Sequence, residues 1–290
     1  MKKILFIVNP LSGTDRIKTL TKDIEQHLNL NIFSYKIIYT QYAKHATKLA
    51  TEAAENKFDI VVAVGGDGSV NDVIHGIYGT DVIMGIIPKG SGNGLARSLK
   101  IPLKESKAIQ LINKLNVQEI DIGQANENLF ASNAGVGFDT LVTSDFKNNT
   151  RRGLLSYLQI IIKNIWTYQT KKWNYKIDGK PQQSNSFMLT IANAAQLGYG
   201  FQIAPQADLT DGYFNLVNIK KIPVLWTPLL ALKAFTGKIN KSRFVSTQKI
   251  KEISIQHPDL NLLQVDGESL VCQQKVHIKM MPKKLKILTA

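Results

Sequence analysis

Residues 59–68 carry the feature that most constrains this fold: a continuous apolar run that ends in closely spaced glycines. The run 59–64 is rich in valine and isoleucine, as expected for a parallel strand buried on both faces. Gly65-Gly66-Asp67-Gly68 follows, and residues 70–77 have helical character. Glycines at such a turn let backbone N–H groups approach a phosphate, and a helix N-terminus favours an anion. We therefore predict a phosphate-binding loop. The alternative is a tight turn in which Asp67 caps the helix.

Short apolar runs and helical patterns alternate along the first part of the chain. Strands are predicted at residues 3–8, 35–40, 59–64 and 82–87, and helices at 17–28, 43–54, 70–77 and 94–99. This alternation predicts a doubly wound α/β domain with a parallel sheet.

The pattern changes near residue 121. Short alternating runs follow, several of them bounded by Asp-Gly turns at Asp178, Asp211 and Asp266. Such runs are typical of an antiparallel β-sandwich. We predict a nucleotide-binding domain at 1–124 and a β-sandwich domain at 125–290, with a return of the extreme C-terminus to the first domain left open.

A second glycine-rich loop, residues 86–94, also follows a strand and precedes a helix, and the loop at residues 9–13 ends the first strand. Neither the second loop nor the one at Gly65 is a Walker-A sequence, because no Gly-Lys-Ser/Thr follows the glycines. Because the carboxyl ends of parallel strands share one edge, these loops predict a single polyanion site.

The charge of +14 and the pI near 9.6 attract polyanions: nucleic acid, anionic membrane or phosphorylated ligands. The lysines are scattered without the basic and aromatic pattern of RNA-binding proteins, so no nucleic-acid partner is predicted. A solvated basic surface is the alternative. One cysteine excludes an internal disulfide. We expect a cytoplasmic protein, peripheral at the inner membrane surface. Residues 222–235, with Trp226, are the candidate membrane surface, and core packing is the alternative.

Four motifs identify the chain as similar to the diacylglycerol kinase catalytic family, which also contains sphingosine and ceramide kinases. They are NPLSG at residues 9–13, GGDGSVNDVIHG at 65–76, PKGSGNGLARSL at 88–99 and VDGE at 265–268. Two connecting pieces, at 133–139 and 204–217, also fit. The resemblance implies a nucleotide-binding domain, a β-sandwich and an active site in the cleft between them.

Site residues also follow from the resemblance. ATP would contact Asn9, Pro10, Leu11, Ser12, Gly13, Thr40, Gly65, Gly66, Asp67, Gly68, Ser69, Val70, Asn71 and Ser91. The catalytic acids would be Asp67, Asp266 and Glu268, either of the last two being the base, and a structural Mg²⁺ would bind Asp208, Asp211 and Tyr213. A second Mg²⁺, held near Asp67, would neutralise the phosphates. Asp67→Ala is expected to abolish phosphoryl transfer and leave the fold intact.

The implied activity is ATP-dependent phosphorylation of a lipid hydroxyl, with diacylglycerol as the first choice of acceptor. The second loop resembles the sphingosine kinase version, so a sphingoid-base kinase is an alternative. A soluble-substrate kinase of the NAD kinase type and a catalytically silent lipid-binding module are further alternatives. The expected partner is a lipid at a membrane surface, and a homodimer is left open.

Overall fold

The N-terminal strands form one six-stranded sheet in the computed structural model, which describes residues 1–12, 17–149 and 153–290. The strands are β1 (Lys2–Val8), β2 (Phe33–Tyr39), β3 (Ile60–Gly65), β4 (Ile83–Pro88), β5 (Val117–Ile120) and β20 (Leu285–Leu288). The helices are α1 (Ile17–His27), α2 (His45–Glu55), α3 (Asp67–Ile77), α4 (Gly94–Ser98) and α5 (Glu105–Ile112). The sheet order is β2-β1-β3-β4-β20-β5, parallel throughout except for β5.

The chain divides into two units. The first comprises Met1–Ile120 with Lys283–Ala290, and the second comprises Asp121–Pro282. In the first unit β3 is buried at every position, as its valine-rich sequence requires between layers of helices. The last strand, β20, lies between β4 and β5.

The second unit is built on two six-stranded antiparallel sheets and a two-stranded hairpin. Its strands are β6 (Gly123–Ala125), β7 (Asn128–Phe130), β8 (Asn133–Gly137), β9 (Lys171–Ile177), β10 (Lys180–Ser186), β11 (Met188–Ala192), β12 (Gln196–Gly198), β13 (Phe201–Gln202), β14 (Phe214–Ile219), β15 (Val245–Ile250), β16 (Glu252–Gln256), β17 (Leu262–Val265), β18 (Glu268–Val271) and β19 (Lys275–Met280). Its helices are α6 (Phe138–Asn148), α7 (Leu154–Ile165) and α8 (Thr227–Phe235), preceded by a 3₁₀ turn at Val224–Trp226.

Alternation along the strands of the second unit creates two cores. In β11, Leu189 and Ile191 face a core shared by the two large sheets, whereas Met188 and Ala192 face a second core with the helices. The rings of Phe130 and Phe214 stack 5.3 Å apart in the first of these cores. The predicted fold class, an α/β domain and an antiparallel β-sandwich, is confirmed. Among the helices in the described part of the chain, none is both long and apolar enough to cross a bilayer.

Candidate active site

The loops that follow β1 and β3 are joined by side-chain hydrogen bonds. Asn9 Nδ2 donates to the Oγ of Ser69 in α3 (3.2 Å), and Asn9 Oδ1 accepts from the N–H of Leu11 (2.9 Å). Ser12 is also close, because its Oγ would lie 3.5 Å from a Cβ built on Gly65. Hydroxyl and amide groups from two predicted nucleotide-binding loops therefore lie at one edge of the sheet.

The two glycine-rich loops touch backbone to backbone. A Cβ on Gly90 would lie 2.5 Å from the Cα of Gly66, and one on Gly65 would lie 2.4 Å from the Oγ of Ser69. The N–H of Lys89 also donates to the carbonyl oxygen of Gly65 (2.8 Å). Gly90 must be glycine because a Cβ there would collide with the Gly66 backbone, whereas a Cβ on Gly65 would collide with the Ser69 side chain.

Asp67 joins the same two loops through its carboxylate. One oxygen accepts the N–H of Asn93 (2.9 Å) and the other accepts the N–H of Gly94 (2.8 Å). Asn93 has a left-handed backbone (φ 51°), and its side chain closes the loop by accepting from the N–H of Gly90 and donating to the Gly90 carbonyl. The sequence had suggested a Mg²⁺ ligand or a helix cap at Asp67. In the structure its carboxylate accepts two hydrogen bonds from the second loop, and a role of Asp67 in binding Mg²⁺ stays a prediction.

The other predicted nucleotide contacts lie on the same loops or beside them. The Thr40 N–H donates to the Val8 carbonyl at the end of β1 (2.8 Å). Leu11 and Ser91 are exposed, whereas the Val70 side chain is buried, so Val70 would contact a nucleotide through its backbone. Pro10 follows β1, and Gly68 and Asn71 lie in α3. Gly13 lies outside the described residues.

Asp266 occupies the corner of the hairpin between β17 and β18, with positive φ (45°). Its carboxylate is buried and accepts three backbone N–H groups, from Ala131 (3.0 Å), Ser132 (2.8 Å) and Asn133 (3.0 Å). Hydrogen bonds to an ionised acceptor are among the strongest in proteins, so Asp266 is held rigidly in place.

Glu268 begins β18 on the other side of the same turn, opposite Val265. Its side chain is exposed to solvent. The rigid corner at Asp266 fixes the backbone position from which the Glu268 carboxylate extends. Within this hairpin, Glu268 rather than Asp266 has the freedom to accept a proton from a ligand.

A buried carboxylate in α6 was not predicted as a site residue. Neither oxygen of Asp139 accepts a hydrogen bond from a described residue. The Oδ2 atom lies close to Gly135, because a Cβ built on that glycine would be 2.7 Å from it. Burial raises the pKa of Asp139 to about 7, and the N–H groups of Thr140 and of Asp139 itself oppose the rise without reaching hydrogen-bonding geometry. The sequence signal was present, because Asp139 ends the NAGVGFD piece.

Comparison with known proteins assigns both units. The diacylglycerol kinase catalytic domain matches residues 3–125, and the YegS C-terminal NAD kinase beta sandwich-like domain matches residues 132–289. The chain belongs to this family of diacylglycerol kinase-like proteins. A diacylglycerol kinase of Bacillus subtilis is 29% identical, with 92% of this chain and 90% of that protein covered. A diacylglycerol kinase of Staphylococcus saprophyticus is 28% identical, with 92% and 89% covered.

Solved structures show the same fold. A diacylglycerol kinase from Bacillus anthracis has a TM-score of 0.76 at 22% identity and covers 100% of this chain and 97% of its own. An NAD kinase from Archaeoglobus fulgidus, in complex with ATP, has a TM-score of 0.55 at 12% identity, with 100% and 94% covered. The family resemblance read from the sequence is confirmed. The fold is NAD kinase-like, and the relatives' names support a kinase.

The structural Mg²⁺ expected in this family finds its side-chain ligands already occupied. Asp208 Oδ1 accepts from the N–H and Oγ1 of Thr210 (2.9 and 2.8 Å), and Asp211 Oδ2 pairs with the Lys249 ammonium (2.6 Å). The Tyr213 ring lies under that ammonium, 5.6 Å away. The described residues hold no cluster of three or more acidic, histidine or cysteine ligands. The side-chain bonds of Asp208 and Asp211 would have to rearrange for a Mg²⁺ ion to bind here, and the metal role of Asp208, Asp211 and the Tyr213 carbonyl stays a prediction.

Asp67→Ala should destabilise the first unit, contrary to the expectation from sequence. The variant leaves the N–H groups of Asn93 and Gly94 without their acceptor, at a cost of about 2–4 kcal/mol. Denaturant unfolding would measure the loss. Asp72→Ala is the control, because the Asp72 carboxylate forms an ion pair with the exposed Lys44 and its loss should cost less than about 1 kcal/mol. Equal stability of the two variants would show that the hydrogen bonds of Asp67 contribute nothing to the free energy of unfolding.

Asp139 should make stability fall as the pH rises. Its carboxyl titrates near 3.8 when unfolded and about 7 when folded, so the unfolded state holds fewer protons between these values. The free energy of unfolding should therefore drop by about 4 kcal/mol across this range and change no further above it. Asp139→Asn should remove this component, measured by urea unfolding at several pH values. The exposed Asp259→Asn serves as control. The same pH dependence in all three proteins would contradict the assignment.

Proposed function

We propose that the protein transfers the γ-phosphoryl group of ATP to a lipid hydroxyl, converting diacylglycerol to phosphatidic acid. The observation that carries the proposal is the pair of glycine loops tied together by Asp67. The diacylglycerol kinases among its relatives support the choice of acceptor. The sphingosine kinase-like string at residues 90–96 favours a sphingoid base as second candidate.

The first unit would bind the triphosphate mainly through its backbone. The absence of side chains at Gly65, Gly66 and Gly90 lets the two loops pack closely, and the N-terminus of α3 would offer N–H groups and favourable dipole charge to a phosphate. Ser69 and Asn9 add polar side-chain groups. Rigidity matters here because phosphoryl transfer depends mainly on positioning and charge stabilisation.

Glu268 would act as the base. Its carboxylate takes the proton of the lipid hydroxyl, the hydroxyl oxygen forms a bond to the γ-phosphorus, and the bond to the ADP oxygen breaks. Asp266 would be a positioning residue, because its oxygens already accept three backbone N–H groups. Mg²⁺ would enter as MgATP and neutralise phosphate charge.

Labelled ATP offered with diacylglycerol, sphingoid base, ceramide, undecaprenol and NAD, with products identified by mass, tests the proposal. Phosphatidic acid is the expected product. A phosphorylated sphingoid base would support the second candidate. NADP as the main product would show a kinase of the NAD kinase type, and no product with any acceptor would favour a silent lipid-binding module.

A further inference from the structure

Helix α8 and the turn before it are largely apolar, with Lys233 as the charged residue of the helix, yet only part of this segment is buried. Leu230 and Ala234 pack into the core beneath the helix. Leu225, Leu232 and Trp226 are 94%, 60% and 43% exposed, and Leu229 and Phe235 are exposed as well. Apolar side chains beyond the stripe that packs on the core are normally covered by another protein surface or by a membrane.

Helix α7 packs Ile160 into the core, but several of its other positions depart from ordinary amphipathicity. Its buried positions include Ser156 and Asn164, whose side chains bond within the unit: Ser156 accepts from Asn149, and Asn164 donates to Asp145. Its exposed positions include Leu155 and Ile162, and Trp166 directly after the helix is 69% exposed. Water-facing helices place such residues the other way round.

Both helices contact the same small hairpin. Tyr157 of α7 lies 6.0 Å from Tyr199, between β12 and β13, and Phe235 of α8 lies 5.5 Å from Phe201 of β13. The two apolar segments therefore flank one structural element of the second unit. We call their exposed residues the α7–α8 surface: Leu155, Ile162, Trp166, Leu225, Trp226, Leu229, Leu232 and Phe235.

Only positive charge accompanies this surface in the sequence. Between Asp145 and Asp178 there is no acidic residue, and between Asp211 and Glu252 there are eight basic residues and no acidic one. The Arg243 guanidinium lies 5.1 Å from the centre of the Trp226 ring. Segments that lie in a membrane interface typically combine exposed leucine and tryptophan with neighbouring lysine and arginine.

We propose that the α7–α8 surface docks on a bilayer that contains anionic phospholipid. Acyl chains would cover the leucines, the tryptophans would lie at headgroup level, and the basic residues would contact phosphates. A second copy of the chain fits less well, since the two segments carry basic residues and no acidic residue of their own to pair with them. Nucleic acid would leave the apolar side chains uncovered. The inference rests on the proposed function, because a lipid acceptor must be reached from a bilayer.

Vesicle co-sedimentation without ATP tests docking separately from catalysis. The full chain should bind phosphatidylcholine vesicles more tightly when they contain phosphatidylglycerol, and added salt should weaken this binding. The double variant L225S/L232S should lose about tenfold or more in affinity, because each inserted methylene contributes to partitioning. The control is Leu103→Ser, an exposed leucine of the first unit, which should bind as wild type does.

The three tryptophans provide a second measurement. Lipids brominated in their acyl chains should quench Trp166 and Trp226, whereas Trp173, which is 1% exposed, should not be quenched. Single Trp→Phe variants assign the signals. Unquenched Trp166 and Trp226, no vesicle binding, or wild-type binding by L225S/L232S would overturn the inference. So would a wild-type dimer that L225S/L232S converts to monomers, since a second copy would then cover the surface.

Failure of docking and failure of the proposed function give different results. If the protein binds vesicles but phosphorylates no lipid, the docking inference stands and the proposed function fails. If it phosphorylates a short-chain, water-soluble diacylglycerol but ignores vesicles, the proposed function stands and the docking inference fails. When both hold, L225S/L232S should lose activity on vesicles and keep it on the soluble acceptor.

Discussion

Replacing Glu268 by Gln should lower kcat by about two to four orders of magnitude, the usual contribution of a general base. The KM for ATP should change little, because a proton acceptor acts in the transition state rather than in nucleotide binding. The exposed position of Glu268 means that the variant should fold normally. Steady-state kinetics with labelled ATP and the acceptor that the assay under Proposed function selects would measure the effect.

Glu252→Gln is the matched control, since Glu252 is another exposed glutamate of the second unit, paired with His277. It should keep the wild-type rate. A Glu268→Gln enzyme that also keeps the wild-type rate would exclude Glu268 as the base. The hairpin at residues 265–268 would then have a structural role alone.

Asp266→Ala should have the largest effect on stability, because three buried N–H groups lose their acceptor at once. With about 1–3 kcal/mol for each unsatisfied group, we expect the free energy of unfolding to fall by about 3–9 kcal/mol. Thermal and denaturant unfolding would measure it. Reduced activity of Asp266→Asn would then reflect a displaced Glu268 rather than a lost base.

Asp178→Ala is a close control. Asp178 and Gly179 connect β9 to β10 with φ values of 47° and 81°, much like Asp266 and Gly267 at 45° and 84°. Alanine therefore meets the same backbone strain in both hairpins. Asp178 Oδ1 accepts only a longer bond, from the N–H of Glu252 (3.2 Å). If both variants lose the same stability, the three bonds of Asp266 contribute nothing beyond the turn.

Periodicity predicted most strands of the fold, because apolar residues mark the buried faces. Several strands had no predicted counterpart, and two of them show the physical reasons. β10, with the sequence KPQQSNS, is largely exposed and has no apolar face, whereas β8 is fully buried but contains two glycines that look like a loop. In β8 a Cβ on Gly135 would lie 2.8 Å from the Leu189 carbonyl oxygen, a close approach that no single-sequence pattern encodes.

The sequence predicted the loops of the candidate site, but it did not predict the hydrogen bonds that these residues make. Glycine spacing indicated where phosphate could bind. The bonds from Asp67 to Asn93 and Gly94 join residues 26 and 27 positions apart, and those of Asp266 reach 133 positions or more along the chain. Partners this distant are set by tertiary packing. The sequence indicated catalytic roles for Asp67 and Asp266, whereas in the structure their carboxylate oxygens accept hydrogen bonds from backbone N–H groups.

The position of β20 affects how the protein emerges during synthesis. β5 is attached to the first sheet through β20, which is made more than 160 residues later. While the second unit is being translated, β4 is an unpaired edge strand of the first sheet and β5 has no strand to pair with. Open edges can pair with foreign strands, and such late closure lengthens the exposure to aggregation. The time between synthesis of β5 and of β20 is thus a window in which a chaperone would benefit this chain.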